Sequence, residues 1–163
     1  MPENPIPHLG SFNSIAHGTV MFRRDEVLKE GGYDEFFRYC QDHELWIRLS
    51  RHCHLANLRE PLYEFRQHSK STRFAQARLS SLYQIVALKI ARRELSTTAL
   101  EELKISGIET ASRQFSKSDS AFHHCSLAYA QMQHGSLNQA RKEYISALRN
   151  NPTDLKVLVN LLL

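Results

Sequence analysis

The chain places an acidic and an aromatic side chain one helical turn apart in a predicted helix at residues 42–51. Leu45 and Leu49 recur at helical spacing there, so Asp42 and Trp46 share one face near the helix start. A carboxylate at this position lies at the positive end of the helix, and an indole ring offers a flat apolar surface for stacking. Two simpler roles stay open: Asp42 can cap the helix, and the single tryptophan can be core.

Basic side chains in the same part of the chain could hold charged ligands. Arg66 and His68 lie two positions apart, and a guanidinium matches phosphate oxygens while an imidazole can ligate a divalent cation. Both can equally be surface residues at the start of a linker. His17 and Arg23 flank a candidate strand, where they can line a cleft or lie at a strand end and on the surface.

Histidine and cysteine also cluster, but their spacing does not favour a zinc site. His52, Cys53 and His54 are consecutive where the candidate strand at 54–58 begins, and adjacent side chains on a strand point to opposite faces. The chain has no Cys-x-x-Cys pair, and structural zinc needs four well-spaced ligands. The adjacent pair His123 and His124 fits a helix surface better than a metal site.

The elements that must position these residues alternate between strands and helices up to about residue 68. Prolines make the first 12 residues irregular, because each fixes φ and removes a backbone donor. The predicted elements are a strand at 19–23, a helix at 25–30 ended by Gly31 and Gly32, the helix at 42–51, and strands at 54–58 and 62–67. This order predicts a mixed α/β first part.

From about residue 73 the apolar periodicity becomes helical throughout. One stripe runs through residues 79–90 and another through 100–115. We place a domain boundary before them, near residues 69–75, in the polar segment 69–73. The chain as a whole is therefore predicted to be mostly helical.

The segment at 121–154 resembles one tetratricopeptide repeat, which is about 34 residues long. Small residues at Ala128 and Ala140 let two antiparallel helices approach closely, and Tyr144 fills the space beside them. Pro152 ends the second helix. A single repeat cannot bury both of its faces, so this hairpin must pack against the preceding helices or against further repeats.

Composition indicates a globular protein and excludes some classes. Of 163 residues, 42% are apolar and 23% charged, and no apolar run approaches the roughly 20 residues of a membrane span. Three cysteines suit a reducing compartment, so we expect a cytoplasmic location, either free or at the inner membrane face. A net charge of +4 without a basic stripe gives little support to nucleic-acid binding.

Three ordered blocks and the segments after them resemble the C-terminal half of family 2 glycosyltransferases, over roughly residues 4–73. That resemblance implies part of a GT-A fold, in which a nucleotide-binding half with an Asp-x-Asp metal motif precedes an acceptor-binding half. Only the second half is seen in this chain. The matching segments are His17 to Arg24, Gly31 to Glu35, Gln41 to Leu49, Ala56 to Leu58, Glu60 to Tyr63 and Arg66 to Ser69.

The resemblance implies inverting transfer of a sugar from a nucleotide-sugar donor to an acceptor hydroxyl, with Asp42 as the general base. The family usually has Glu-Asp here, and Gln41 replaces the Glu. Acceptor contacts would fall to Trp46, His17 and Tyr33, and Arg66, His68 and Arg23 would lie near the donor diphosphate or its metal. A divalent ion, Mg or Mn, would be held mainly by the missing half.

The predicted domains are therefore an acceptor-side part at 1–72 and a helical tail at 73–163. Expected partners are a nucleotide-sugar donor and a glycan or lipid-linked acceptor of polysaccharide biosynthesis. The alternative function is a non-catalytic helical module that binds a protein through the tail.

Overall fold

The computed structural model describes residue 9 and residues 13–66 and 75–153, and these are mostly helical, as predicted. The described helices are α1 (Arg24–Lys29), α2 (Gln41–Leu49), α3 (Ala77–Ala91), α4 (Thr97–Ser106), α5 (Ile108–Ala111), α6 (Lys117–Gln133) and α7 (Leu137–Asn150), with short 3-10 helices at His17–Thr19 and Ser112–Gln114.

The predicted strands at 19–23, 54–58 and 62–67 are the main error. Residue 19 ends a 3-10 helix, Val20 and Arg23 have extended backbones, and Asn57 forms only an isolated bridge. Within the described ranges there is no β-strand, because an extended segment needs a hydrogen-bonded neighbour to become one. Residue 67 lies outside the described residues. The α/β half of the predicted fold class is thus not formed by these segments on their own.

The two helices around the predicted site lie within two residues of their predicted bounds. Helix α1 stops where Gly31 and Gly32 adopt φ values of 77° and 73°, which confirms the predicted glycine turn. Helix α2 is more deeply buried than its spacing suggested, since residues 43–47 and 49 are all buried. It is the central core element of its part of the chain.

The described chain divides into two compact units, Met1–Arg66 with Val86–Glu102 and Gln67–Ile85 with Leu103–Leu163. The first unit buries Val27 and Phe37 together with the apolar side chains of α2. This division does not follow one cut in the sequence, and the domains 1–72 and 73–163 stay a prediction.

The second unit contains the predicted helical hairpin, formed by α6 and α7. Ala128, Tyr144 and Ala147 make its buried cluster, with Cys125 and Leu148 packed against it. Gly135 takes a φ of 75° in the connection. The stripe predicted at 100–115 is helical but interrupted, because Gly107, with a φ of 80°, separates α4 from α5.

The start of α6 offers a stability test. Ser116 accepts a hydrogen bond from the Asp119 amide at 3.1 Å, and the Asp119 carboxylate accepts one from the Ser116 amide at 2.9 Å. Ser116→Ala is expected to lower the free energy of unfolding by about 1 kcal/mol, measured by urea denaturation followed by circular dichroism. Ser118→Ala, at an exposed position of the same helix, is the control and should change it by less than about 0.5 kcal/mol.

In residue 9 and the ranges 13–66 and 75–153, no helix is both long enough and apolar enough to cross a bilayer.

Candidate functional site

Asp42 lies in the first turn of α2, as the sequence predicted. The residue before the helix, Cys40, has a left-handed backbone with a φ of 69° and no side-chain cap bond. The carboxylate of Asp42 is partly buried, and its Oδ2 accepts a hydrogen bond from Nδ2 of Asn13 at 2.9 Å. The side chain is thus held by a partner from outside the helix.

Asn13 is itself fixed in orientation. Its Oδ1 accepts a hydrogen bond from the backbone amide of Ile15 at 3.2 Å, which leaves Nδ2 to face the carboxylate. Nδ2 of Asn57 also donates to the Ser14 carbonyl at 3.1 Å. Sequence reasoning missed Asn13, because 29 positions separate it from Asp42 and no local pattern links them.

The predicted acceptor residues come together beside α2. Nε2 of His17 and the hydroxyl of Tyr33 are 2.9 Å apart, and their rings meet edge to face at 5.7 Å. The His17 ring also lies 6.3 Å from that of Trp46, whose other neighbour is Phe22 at 6.1 Å. Three residues from separate blocks of the sequence therefore form one aromatic group.

Tyr33 is partly accessible to solvent in this group. Its side chain is about 40% exposed. Burial of the remainder raises the pKa of Tyr33, and the Asp42 carboxylate acts in the same direction. The phenol therefore stays protonated at neutral pH and can donate or accept a hydrogen bond. His17 is also exposed, so the pair faces solvent.

Trp46 is placed differently from its two neighbours. It is 2% exposed, and its Nε1 is buried with no hydrogen-bond partner among the described residues. This burial favours the core role over an open stacking surface, and a direct acceptor contact by Trp46 stays a prediction.

The approach of Tyr63 to the site was not predicted. A Cβ added at Gly18 would lie 2.8 Å from the Tyr63 hydroxyl, so the glycine makes room for that ring next to His17.

A buried ion pair on α2 fixes the glycine turn before Tyr33. Nε and Nη2 of Arg48 donate to the two carboxylate oxygens of Glu44 at 2.6 and 2.8 Å. The same guanidinium donates to the Gly32 carbonyl at 2.7 Å and to the Glu30 carbonyl. The backbone that leads into Tyr33 is therefore tied to the helix that carries Asp42.

His43, next to Asp42, has a structural role. Its ring is fully buried, Nε2 donates to the Leu9 carbonyl at 2.8 Å, and Nδ1 lies 3.8 Å from Sγ of Cys40. Burial lowers the pKa of His43 below its usual value, so the ring is neutral at neutral pH.

In the described part of the chain, no hydrogen bond or ion pair joins Arg23 or Arg66 to this group. Arg23 directly precedes α1 and is exposed, Arg66 is exposed, and His68 lies outside the described residues. Nor do any three His, Cys, Asp or Glu side chains described here group closely enough to hold a metal ion.

The first unit also contains a cavity of about 470 Å³. Its walls include the glycine turn, Arg48, Arg51 and Arg93, and none of the predicted acceptor residues. The candidate site is therefore the exposed group around Asp42 and not this cavity.

Polar groups of the second unit are engaged in packing. Nδ1 of His123 lies 2.6 Å from Oγ of Ser81, and Nδ1 of His124 lies 2.7 Å from Glu143 of α7. Both histidines are partly buried, so they are less exposed than a helix surface implies.

Comparison with known proteins shows one relationship of known activity. A stretch of 63 residues is 41% identical to the O-antigen biosynthesis glycosyltransferase WbnJ of Escherichia coli. The stretch covers 37% of this chain and 24% of the relative, so it spans about a quarter of the relative's length. No family model and no solved structure matches the chain. The chain is thus related to a glycosyltransferase over a limited stretch.

Proposed function

We propose that this chain is the acceptor-side part of a family 2-like inverting glycosyltransferase. Such an enzyme transfers a sugar from a nucleotide-sugar donor to an acceptor hydroxyl. The observation that carries the proposal is the oriented carboxylate of Asp42 beside the exposed His17 and Tyr33 pair. The relationship to an O-antigen glycosyltransferase supports the same chemistry.

In this proposal Asp42 is the general base. The acceptor oxygen attacks the anomeric carbon as its proton passes to the carboxylate, and the bond to the nucleotide phosphate breaks on the opposite face. One attack from the far side inverts the anomeric centre. His17 and Tyr33 hold acceptor hydroxyls by hydrogen bonds, and the ring of Trp46 lies against that of His17.

The donor side is proposed to lie mainly outside this chain. Arg23, Arg66 and His68 would face the donor diphosphate from the acceptor side. A divalent ion, Mg or Mn, would neutralise charge on the leaving diphosphate. We assign no ligand of this ion to the described residues, because no three His, Cys, Asp or Glu side chains group closely enough there.

Exposed apolar side chains support a larger GT-A-type domain around the first unit. Met21, Leu58, Leu62 and Phe65 are 99%, 68%, 75% and 58% exposed, and all lie outside the described helices. Large apolar side chains that group on a protein surface usually contact another structure. We propose that a preceding nucleotide-binding half covers these four side chains and pairs with the extended segments, in a cytoplasmic enzyme of polysaccharide biosynthesis that is free or at the inner membrane face.

The experiment is a comparison of nucleotide-sugar binding by this chain and by the full-length protein that carries it. Isothermal titration with UDP-, GDP- and dTDP-sugars should give binding only for the full-length protein. Equal binding of the nucleotide sugar by the chain alone would contradict the proposal that the donor site lies mainly outside this chain.

The Tyr33 hydroxyl gives a smaller effect. Tyr33→Phe removes one neutral hydrogen-bonding group, so the acceptor KM is expected to rise by about 2- to 10-fold with little change in donor KM. A double-mutant cycle with His17→Ala checks the contact, because the double variant should lose less than the sum of the two single effects. Strictly additive effects would mean that the pair does not act as a unit.

A second candidate function is protein binding by the α6 and α7 hairpin, which we propose as a tetratricopeptide-like module. Tyr129, Met132, Leu137 and Ile145 are 42%, 37%, 67% and 40% exposed on these helices. Capture of a peptide by residues 75–163 alone would favour this function over transfer.

A further inference from the structure

We propose that Asn13 is a positioning residue that orients the Asp42 carboxylate for proton removal, an inference that rests on the proposed transferase function. Its Nδ2 donates to Oδ2 of Asp42 at 2.9 Å. Within the described residues no other hydrogen bond reaches that carboxylate, so Oδ1 is left to receive a proton. Neither the resemblance nor the related transferase assigns a role to this asparagine.

The amide of Asn13 can act in only one orientation. The backbone amide of Ile15 donates to Oδ1 of Asn13 at 3.2 Å. If the side-chain amide were flipped, its NH2 group would face the Ile15 N–H, and its oxygen would face the Asp42 carboxylate. Both contacts would be repulsive. The segment that carries Asn13 is in turn held through Ser14 by Asn57. The contact is thus built from three separate parts of the chain.

The chemical consequence concerns the geometry of one proton transfer. As the acceptor oxygen forms its bond to the anomeric carbon, the proton of that hydroxyl passes to Oδ1 of Asp42, and the electron pair of the breaking bond leaves with the nucleotide phosphate. A general base acts only when its oxygen lies within hydrogen-bonding reach of that proton. Without Asn13 the carboxylate can rotate about its side-chain bonds. While it is turned away from the acceptor hydroxyl, it cannot remove the proton, so the rate of transfer falls.

Two substitutions separate positioning of Asp42 from support of the loop. Asn13→Asp keeps an oxygen for the Ile15 amide but replaces the donor with a negative oxygen facing Asp42. Asn13→Ala removes both interactions. If Asn13 served only the loop, Asn13→Asp would behave like the wild type.

The measurement is kcat and KM for sugar transfer by the full-length protein. If Asn13 positions Asp42, both variants should lower kcat by about 10- to 100-fold, while the donor and acceptor KM values stay within about two-fold of wild type. The kcat of Asn13→Asp should be no higher than that of Asn13→Ala. Asn13→Asp at the wild-type rate would overturn the inference.

A second measurement does not depend on activity. In the 163-residue chain, the Asn13 side-chain amide resonances should shift on Asp42→Ala, as followed by NMR. Unchanged resonances would overturn the contact. Transfer at the wild-type rate by Asp42→Asn would reject the proposed general base. If Asp42→Asn lost transfer while both Asn13 variants kept the wild-type rate, only the positioning role of Asn13 would be rejected.

Discussion

Asp42→Asn is expected to lower the rate of sugar transfer by the full-length protein by about 10²- to 10⁴-fold, the usual contribution of a general base. The amide has the shape of the carboxylate and can stay in contact with Asn13, but it cannot take the acceptor proton. Donor binding and the thermal midpoint should change little, because Asp42 is only partly buried and loss of one charge at a helix N-terminus costs about 1 kcal/mol or less.

The rate is measured as acceptor-dependent release of nucleoside diphosphate, and donor binding by isothermal titration. Asp25→Asn is the matched control, since Asp25 is an exposed acid in the first turn of α1. It should transfer sugar at the wild-type rate. A similar loss in both variants would point to a general charge effect and would remove Asp42 from the role of base.

Arg48→Ala is expected to cost about 3–5 kcal/mol in the free energy of unfolding, because it leaves the Glu44 carboxylate buried without its partner. The side chains of Arg48 and Glu44 are only 17% and 4% exposed. The Gly32 and Glu30 carbonyls would lose a charged donor as well. Urea denaturation of the 163-residue chain measures the loss.

Two comparisons identify the cause of that loss. Lys29→Ala removes an exposed ion pair with Glu26, so it should lower the free energy of unfolding far less than Arg48→Ala does. The double variant Glu44→Gln with Arg48→Met removes both charges, so it should lose less than Arg48→Ala alone. If the double variant were the less stable of the two, the pair would be net stabilising and the unpaired-charge explanation would be wrong.

Local signals predicted the helical part of the site well. Asp42 and Trp46 are one turn apart on α2, and Gly31 and Gly32 end α1 with positive φ, because both features depend on residues close in sequence. Tyr33 could be placed near them only through the family resemblance, since its contact with His17 joins distant positions.

Long-range contacts account for what was missed. Asn13 contacts Asp42, and Arg48 contacts the Gly32 carbonyl, only because the folded chain brings distant residues together. Local periodicity in the sequence does not predict such contacts. The strands failed for a related reason: β propensity at 19–23 and 54–58 can be satisfied only by a neighbouring strand, and none is formed within the described residues.

The helical hairpin shows the opposite case. Ala128, Ala140 and Tyr144 are buried as their spacing predicted, since close helix packing requires small residues at regular intervals. The break at Gly107 was missed because an isolated glycine within an apolar stripe is compatible with an unbroken helix.

The most direct test of the central claim measures the incorporation of labelled sugar into an acceptor glycan. The glycan is extracted from source cells in which the gene for this protein has been deleted. Labelled UDP-, GDP-, dTDP- and CMP-sugars are supplied in turn to the full-length protein and to its Asp42→Asn variant. The proposed function predicts incorporation from at least one donor by the wild type and almost none by the variant. Equal incorporation by both proteins, or none from any donor by folded wild-type protein, would contradict it.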